Sequence, residues 1–366
     1  MKKRIATRIY ISFILGILFP VTDSCKESIV PDSVSYTAIA IGQFHSLAIK
    51  SDGTLWAWGD NKYGQLGDGG ELPEAHIPIK IGVGYSAIAA SEFHSLGLKT
   101  DGTLWAWGGN NAGQLGDGTL VDKNIPVLIG SDYLAIAAGG RRSLALKTGG
   151  TLWAWGDDGN GAQLGSGKNP VQVGEGYAKI TASTTHSFGL KTDGTLWGWG
   201  GNGDRQLGDG TYILKKMPVL IGSNYAMISA GDRYTLALKT DRTLWAWGDN
   251  ASGRLGDGTE GGNKPPTLIS SDYSTISAGH AHSLGLKIDG TLYAWGYNFS
   301  GQLGDGTDVS KHLPTNIGTD YSAIAAGHYH SMALKADGTL WTWGHNSNGQ
   351  LGNGTQVDMK MPVLIK

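Results

Sequence analysis

A single cysteine, Cys25, leaves this chain unable to form an internal disulfide. Charge is sparse as well: Asp, Glu, Lys and Arg make up 16% of the residues, and the formal net charge is −2. No basic run or tail offers a footprint for nucleic acid. No stretch of the bulk sequence carries the apolar period of an amphipathic helix. No glycine-rich loop stands between a strand and a helix as a phosphate site requires, and no spacing suits zinc. What is abundant is glycine, 59 of 366 residues, about twice the usual share of roughly 7%. That excess points to many tight turns. The apolar fraction of 40% is enough for a core.

Residues 1–24 differ in kind from the rest. Lys2, Lys3, Arg4 and Arg8 surround the start of an apolar stretch over residues 9–21, too short for a comfortable membrane span. The pattern reads as a signal peptide, and its removal takes the net charge from −2 to about −5. The segment Thr22-Asp23-Ser24-Cys25 resembles a bacterial lipoprotein cleavage box, although Thr22 and Asp23 depart from its usual pattern. The expectation is an exported protein of the cell envelope, an outer-membrane or surface lipoprotein held to the membrane by a lipid on Cys25. A plain signal peptide with a leftover cysteine is the alternative. Residues 25–35 make a short N-terminal segment before the repeats.

From residue 36 to 366 the sequence repeats itself. Tyr36, Tyr85, Tyr133, Tyr177, Tyr225, Tyr273 and Tyr321 open seven units, spaced roughly 48 residues apart. Each unit reads as four short strands. Tyr-x-Ala-Ile-Ala-Ala is the first and His-Ser-Leu-Ala-Leu-Lys the second. An Asp-Gly hairpin follows, as at Asp101-Gly102, where positive φ is needed. Thr-Leu-Trp-Ala-Trp-Gly is the third strand. A long glycine-rich loop then leads to Pro-Val-Leu-Ile, whose proline suits an edge strand. One such unit cannot bury both faces alone. Arranged radially, seven of them form an all-β, seven-bladed β-propeller of four-stranded blades. All 13 tryptophans fall in the third-strand motif, and Tyr293 fills the fourteenth slot. Large rings packed between blades account for them. The first and last blades are expected to meet at one junction, with Ile29-Val30 beside Val363-Leu364 as one way of closing it.

The string AGHYHSMALKADGTLWTWGHNSNGQLGNGT, beginning at Ala326, resembles the regulator of chromosome condensation repeat. The resemblance runs through all seven units and implies a seven-bladed propeller without fixing an activity. The eukaryotic founder of that family is a nucleotide exchange factor on chromatin, which an export signal and the lack of a basic tail argue against. A plant ultraviolet-B receptor of the family uses Gly-Trp-Arg-His-Thr motifs. Here the matching stretches are Gly42-Gln43-Phe44-His45-Ser46 and Gly327-His328-Tyr329-His330-Ser331, without tryptophan. Secreted bacterial propellers that inhibit β-lactamases are similar in blade number and compartment. They imply one mode, a propeller face gripping another protein.

The candidate site residues follow from comparing the units. His45, His94, Arg142, His186, Tyr234, His282 and His330 open the second strands, and the resemblance places a histidine of this position in a partner-binding region. Read from the residues alone, each holds a neighbouring loop backbone within its own blade. A metal ring would need nearer spacing and accompanying carboxylates, so no metal is expected. Arg141, Arg233 and Tyr329 stand in the short loops just before that position. Asp-Gly recurs in the long loop, but Ser166-Gly167 and Asn353-Gly354 serve equally, so a turn explains it better than calcium. No nucleophile–base pair stands out, so neither a catalytic role nor a cofactor is expected. The strands run up, down, up, down. The short first-to-second loops and the long loops therefore share a varied face, and the monotonous hairpins lie opposite. The expected function is a monomeric scaffold that binds a protein through the varied face, with no nucleic acid. A glycan-binding module using Tyr63, Tyr297, Phe299 and Tyr329 as stacking platforms is the alternative, and an enzyme the third reading.

Overall fold

Each tyrosine that opens a repeat also opens a strand. In the first blade the strands are β1 (Tyr36–Ile41), β2 (His45–Lys50), β3 (Leu55–Asp60) and β4 (Glu74–Gly82), hydrogen-bonded in that order and antiparallel throughout. The computed structural model describes residues 34–70, 73–157 and 164–366. The segment read as a signal peptide, Cys25 and the Ile29-Val30 stretch lie outside these described residues. Seven four-stranded sheets of identical order follow one another along the chain, and a 3₁₀ turn at Ala251–Gly253 is the single helical element among the described residues. The protein is a seven-bladed β-propeller.

The first strands of successive blades contact one another around the axis, and the fourth strands form the outer edge. The proline expected to mark an edge does so: Pro78, Pro126, Pro218 and Pro362 all sit inside fourth strands. Between blades lies the core. The second tryptophan of each motif, from Trp58 to Trp343, is fully or almost fully buried. The first tryptophan is only partly buried and lies under a lysine. Lys50 Nζ stands 4.4 Å from the Trp56 ring and 4.8 Å from the Tyr36 ring, and the pattern recurs in every blade.

The long loop is a clamp on the next blade. Gln65 O accepts both Trp107 Nε1 at 2.9 Å and Ser95 Oγ at 2.8 Å, while Leu66 is fully buried beside it. The glycine that follows is required. Gly352, at φ +73°, lies against the indole of Trp58, and a Cβ there would stand 2.7 Å from its Nε1. The clamp repeats across the closing junction, where Gln350 O accepts Trp58 Nε1 and Ser46 Oγ, each at 2.9 Å. Among the described residues no strand is shared between first and last blades: the last is built from Tyr321–Ala326, His330–Lys335, Leu340–Gly344 and Met359–Ile365. The junction expected from the sequence is there, but side chains and loop carbonyls close it as they close the other junctions.

Candidate binding face

The residues that open the second strands were expected to hold loops within their own blades and to include partner contacts. The structure corrects the first of these expectations and places the residues beneath the loop face. His45, His94, His186, Tyr234, His282 and His330 are fully buried, and Arg142 nearly so. Each reaches forward to the next blade. His45 Nε2 lies 2.9 Å from Ser95 Oγ, His94 Nε2 2.9 Å from Ser143 Oγ, His186 Nε2 2.9 Å from Thr235 Oγ1, and His282 Nε2 2.8 Å from Ser331 Oγ. His330 Nε2 closes the ring on Ser46 Oγ at 2.9 Å. Arg142 donates to Ser183 O and Tyr234 to His282 O instead. These seven residues form a buried girdle between blades.

A histidine 2.9 Å from a serine hydroxyl has the look of a base beside a nucleophile. The proton accounting says otherwise. Ser46 Oγ gives its proton to Gln350 O, and Ser95 Oγ gives its own to Gln65 O. The imidazole Nε2–H must therefore be the donor, and Nδ1 of His45, His94, His282 and His330 is left as a buried acceptor without a hydrogen-bond donor. Burial holds these rings neutral, pushing His45, His94, His186 and His282 down to about 3 and His330 well below its usual value.

The short loops that precede the girdle surround the mouth of the central channel. They are tied to one another: Gln43 N donates to Ser91 O, Ser91 Oγ to Gly140 O, Thr185 Oγ1 to Asp232 O, and His280 N to Gly327 O. The mouth holds a cavity of about 200 Å³ walled by Ala, Gly and Ser from the first strands. Two carboxylates stand at its rim. Glu92 accepts from Thr184 Oγ1 at 3.0 Å, two blades away. Asp232 lies 3.5 Å from Arg233 Nε and 3.6 Å from His280 Nε2. Burial lowers the His280 pKa even though Asp232 beside it opposes the shift.

An aromatic arc runs along one side of the mouth. The His280 and His328 rings stack at 4.8 Å, and Tyr329 lies 5.6 Å from His280 and 6.2 Å from His345, which in turn lies 6.1 Å from Phe44. Of the ten residues singled out for binding, the structure leaves Arg141 and Arg233 exposed and Tyr329 half-buried on this face. Sequence reasoning noted Glu92, His280 and His328 among the varied short-loop residues without singling them out as binding residues, and passed over His345. Their signal was present, since all four fall at positions that vary among the repeats, one of which holds histidine twice, as His280 and His328.

Asp-Gly in the long loop is a turn, as expected. Asp117 Oδ1 accepts Thr119 N and Asn110 Nδ2, and its Oδ2 pairs with Lys123 at 3.4 Å. Among the described residues no three His, Cys, Asp or Glu side chains gather closely enough to hold a metal ion.

Comparison with known proteins agrees with this architecture. A family model for the regulator of chromosome condensation (RCC1) repeat matches residues 52–98, 101–146, 193–238, 242–286, 289–334 and 337–366. A second model of that repeat matches seven stretches, 36–65, 85–114, 134–162, 177–206, 228–254, 273–302 and 321–350. The chain is 32% identical over 56 residues to the human "Probable E3 ubiquitin-protein ligase HERC6", a match of 15% of this chain and 6% of that protein's length. Among solved structures it is similar to human WBSCR16, with TM-score 0.78, 20% identity, and 86% of this chain and 94% of that one covered. It is also similar to Prp20p from Saccharomyces cerevisiae, a structure described together with its binding to Gsp1p and histones. There the TM-score is 0.76 and the identity 23%, with 91% of this chain and 87% of that one covered. At these identities the likeness is one of fold.

Proposed function

The chain belongs to the regulator of chromosome condensation repeat family, and on that premise we propose that it is a scaffold whose varied loop face grips another protein. In this reading it is exported, anchored through a lipid on Cys25, and works as a monomer of the cell envelope. One observation carries the proposal. The two faces of the ring differ in kind. On one, five of the seven hairpins repeat the same Asp-Gly-Thr turn, with Asp101 holding Thr103 and Asp193 holding Thr195 in the same geometry, and the other two read Gly149-Gly150-Thr151 and Asp241-Arg242-Thr243. On the other, every short loop differs, and Glu92, Asp232, His280 and His328 line a recessed mouth, with Arg233 and Tyr329 next to Asp232 and His328 in the chain.

Loops on a rigid scaffold are where contact residues can vary without cost to the fold. Tyr and Arg are the side chains that most often carry binding energy at protein interfaces. The buried girdle beneath keeps the loops in register, so the face is pre-organised. That Prp20p is described as binding protein partners supports the mode and does not name this partner. Photo-crosslinkers placed on each face test the proposal directly, in the form given at the end of the Discussion.

A further inference from the structure

Phe299 is 69% exposed, the most exposed large apolar side chain among the described residues. It belongs to the long loop of the sixth blade. Equivalent places in other repeats hold Lys62, Asn111, Gly203, Ala251 and Ser347, so the fold does not require an aromatic there. Tyr297 lies under it, with ring centroids 4.8 Å apart at 51°, and fixes the ring's orientation. In the first and fifth repeats the position of Tyr297 holds Asp60 and Asp249, which accept backbone bonds from Lys62 and Ala251. The sixth repeat has exchanged that loop-holding carboxylate for an aromatic pair.

Phe299 faces a groove of about 700 Å³ that it lines with Glu260, Asp308, Val309, Ser310 and His312. The polar walls come as donor–acceptor pairs. His312 Nε2 lies 3.5 Å from Glu260 Oε2, and Lys360 Nζ lies 2.8 Å from Asp308 Oδ2. All four side chains remain 37–58% exposed, so their unused donors and acceptors face solvent. These pairs join neighbouring blades, and as staples alone they would need no aromatic between them.

We propose that this groove binds a neutral oligosaccharide, with a pyranose C–H face on Phe299 and vicinal hydroxyls on the Glu260–His312 and Asp308–Lys360 pairs. A pyranose offers one apolar face and a rim of hydroxyls, each both donor and acceptor, which matches an isolated ring flanked by acceptor–donor pairs. Val309 is the one other apolar wall, too little for an apolar peptide side chain. Lys360 is already paired with Asp308, so the groove offers an anionic ligand no free cation of its own. The groove's volume lies in the range of small-molecule sites. This site is separate from the channel mouth and does not rest on the protein-binding reading.

Saturation-transfer NMR on the full-length protein with maltotriose, cellotriose and triacetylchitotriose tests it. At least one of the three should receive saturation at its ring C–H protons. Phe299→Ser, which installs the residue of the seventh repeat, should weaken binding by at least about tenfold at an unchanged melting temperature. Phe299→Trp should retain binding, and Asp308→Ala should weaken it while leaving the aromatic pair intact. Saturation of none of the three probes, or equal saturation with Phe299→Ser, overturns the proposal. If Arg233→Glu abolished sugar binding and Phe299→Ser did not, the ligand would belong to the channel mouth, which also overturns it.

Discussion

His330 Nε2 lies 2.9 Å from Ser46 Oγ, 284 residues earlier in the chain. This contact between last and first blades has the same form as His94 with Ser143 or His282 with Ser331. Closure therefore adds no special device. Ser46→Ala should cost about 1–3 kcal/mol, because it strips a buried His330 N–H of its partner and the Gln350 carbonyl of one of its two donors. Ser95→Ala, at an internal junction, should cost the same within about 0.5 kcal/mol. Thermal melting of the two variants checks the equivalence; a much larger loss at Ser46 would make the terminal junction the weak point of the ring.

The girdle makes stability fall with acid. Four of its histidines titrate at about 3 in the folded state, against about 6.5 unfolded. Between those limits the unfolded chain binds more protons, so unfolding free energy rises with pH. Stability is fully present above about pH 6.5 and is lost as pH falls toward 3, by roughly 1 kcal/mol per histidine per pH unit. The loss should begin well above the range in which carboxylates such as Asp117 and Asp209 titrate, since their pKa values are lowered. Urea titrations at pH 7, 6, 5 and 4 measure the slope, and His94→Gln should reduce it by one histidine's share. A flat profile down to pH 5 would show that these rings are charged in the fold.

Arg242 stands at φ +68° in the one hairpin where Gly53, Gly102 and Gly194 have no counterpart. A side chain pays about 1–2 kcal/mol for that conformation, and glycine does not. Arg242→Gly should raise stability by up to about 1 kcal/mol once glycine's greater freedom in the unfolded chain is subtracted. A lower melting temperature would mean that the Arg242 side chain makes a stabilising contact.

The fold was legible because the repeat writes it seven times. Tyr36 and its counterparts mark where strands begin, Asp-Gly marks the hairpins, and the paired tryptophans mark the core. The clamp was not legible. Gln-Leu-Gly reads as loop, and only the packing of Gln350 O against Trp58 and Ser46 shows that it joins blades. The girdle was misread for a related reason. A histidine at the head of a strand looks the same in sequence whether it faces its own blade, the next blade or solvent, and burial decides among them. The aromatic arc and the Phe299 groove combine residues from different repeats, a juxtaposition that no single period displays.

Lipid attachment at Cys25 carries a separate expectation. The wild-type protein should partition with membranes after carbonate washing, and Cys25→Ala should move it to the soluble fraction or leave it unprocessed. Identical soluble behaviour of both would remove the anchor from the account and leave the propeller's binding face untouched.

The central claim is that the varied loop face binds a protein. A photo-crosslinking amino acid placed singly at Arg141, Arg233 or Tyr329 samples that face, and at Thr192 or Ile288, both exposed in hairpins, it samples the other. After irradiation in the native host, the first three positions should yield one common adduct, and the hairpin positions should yield none. Adducts confined to positions 192 and 288, or no adduct from 141, 233 and 329, would contradict the account.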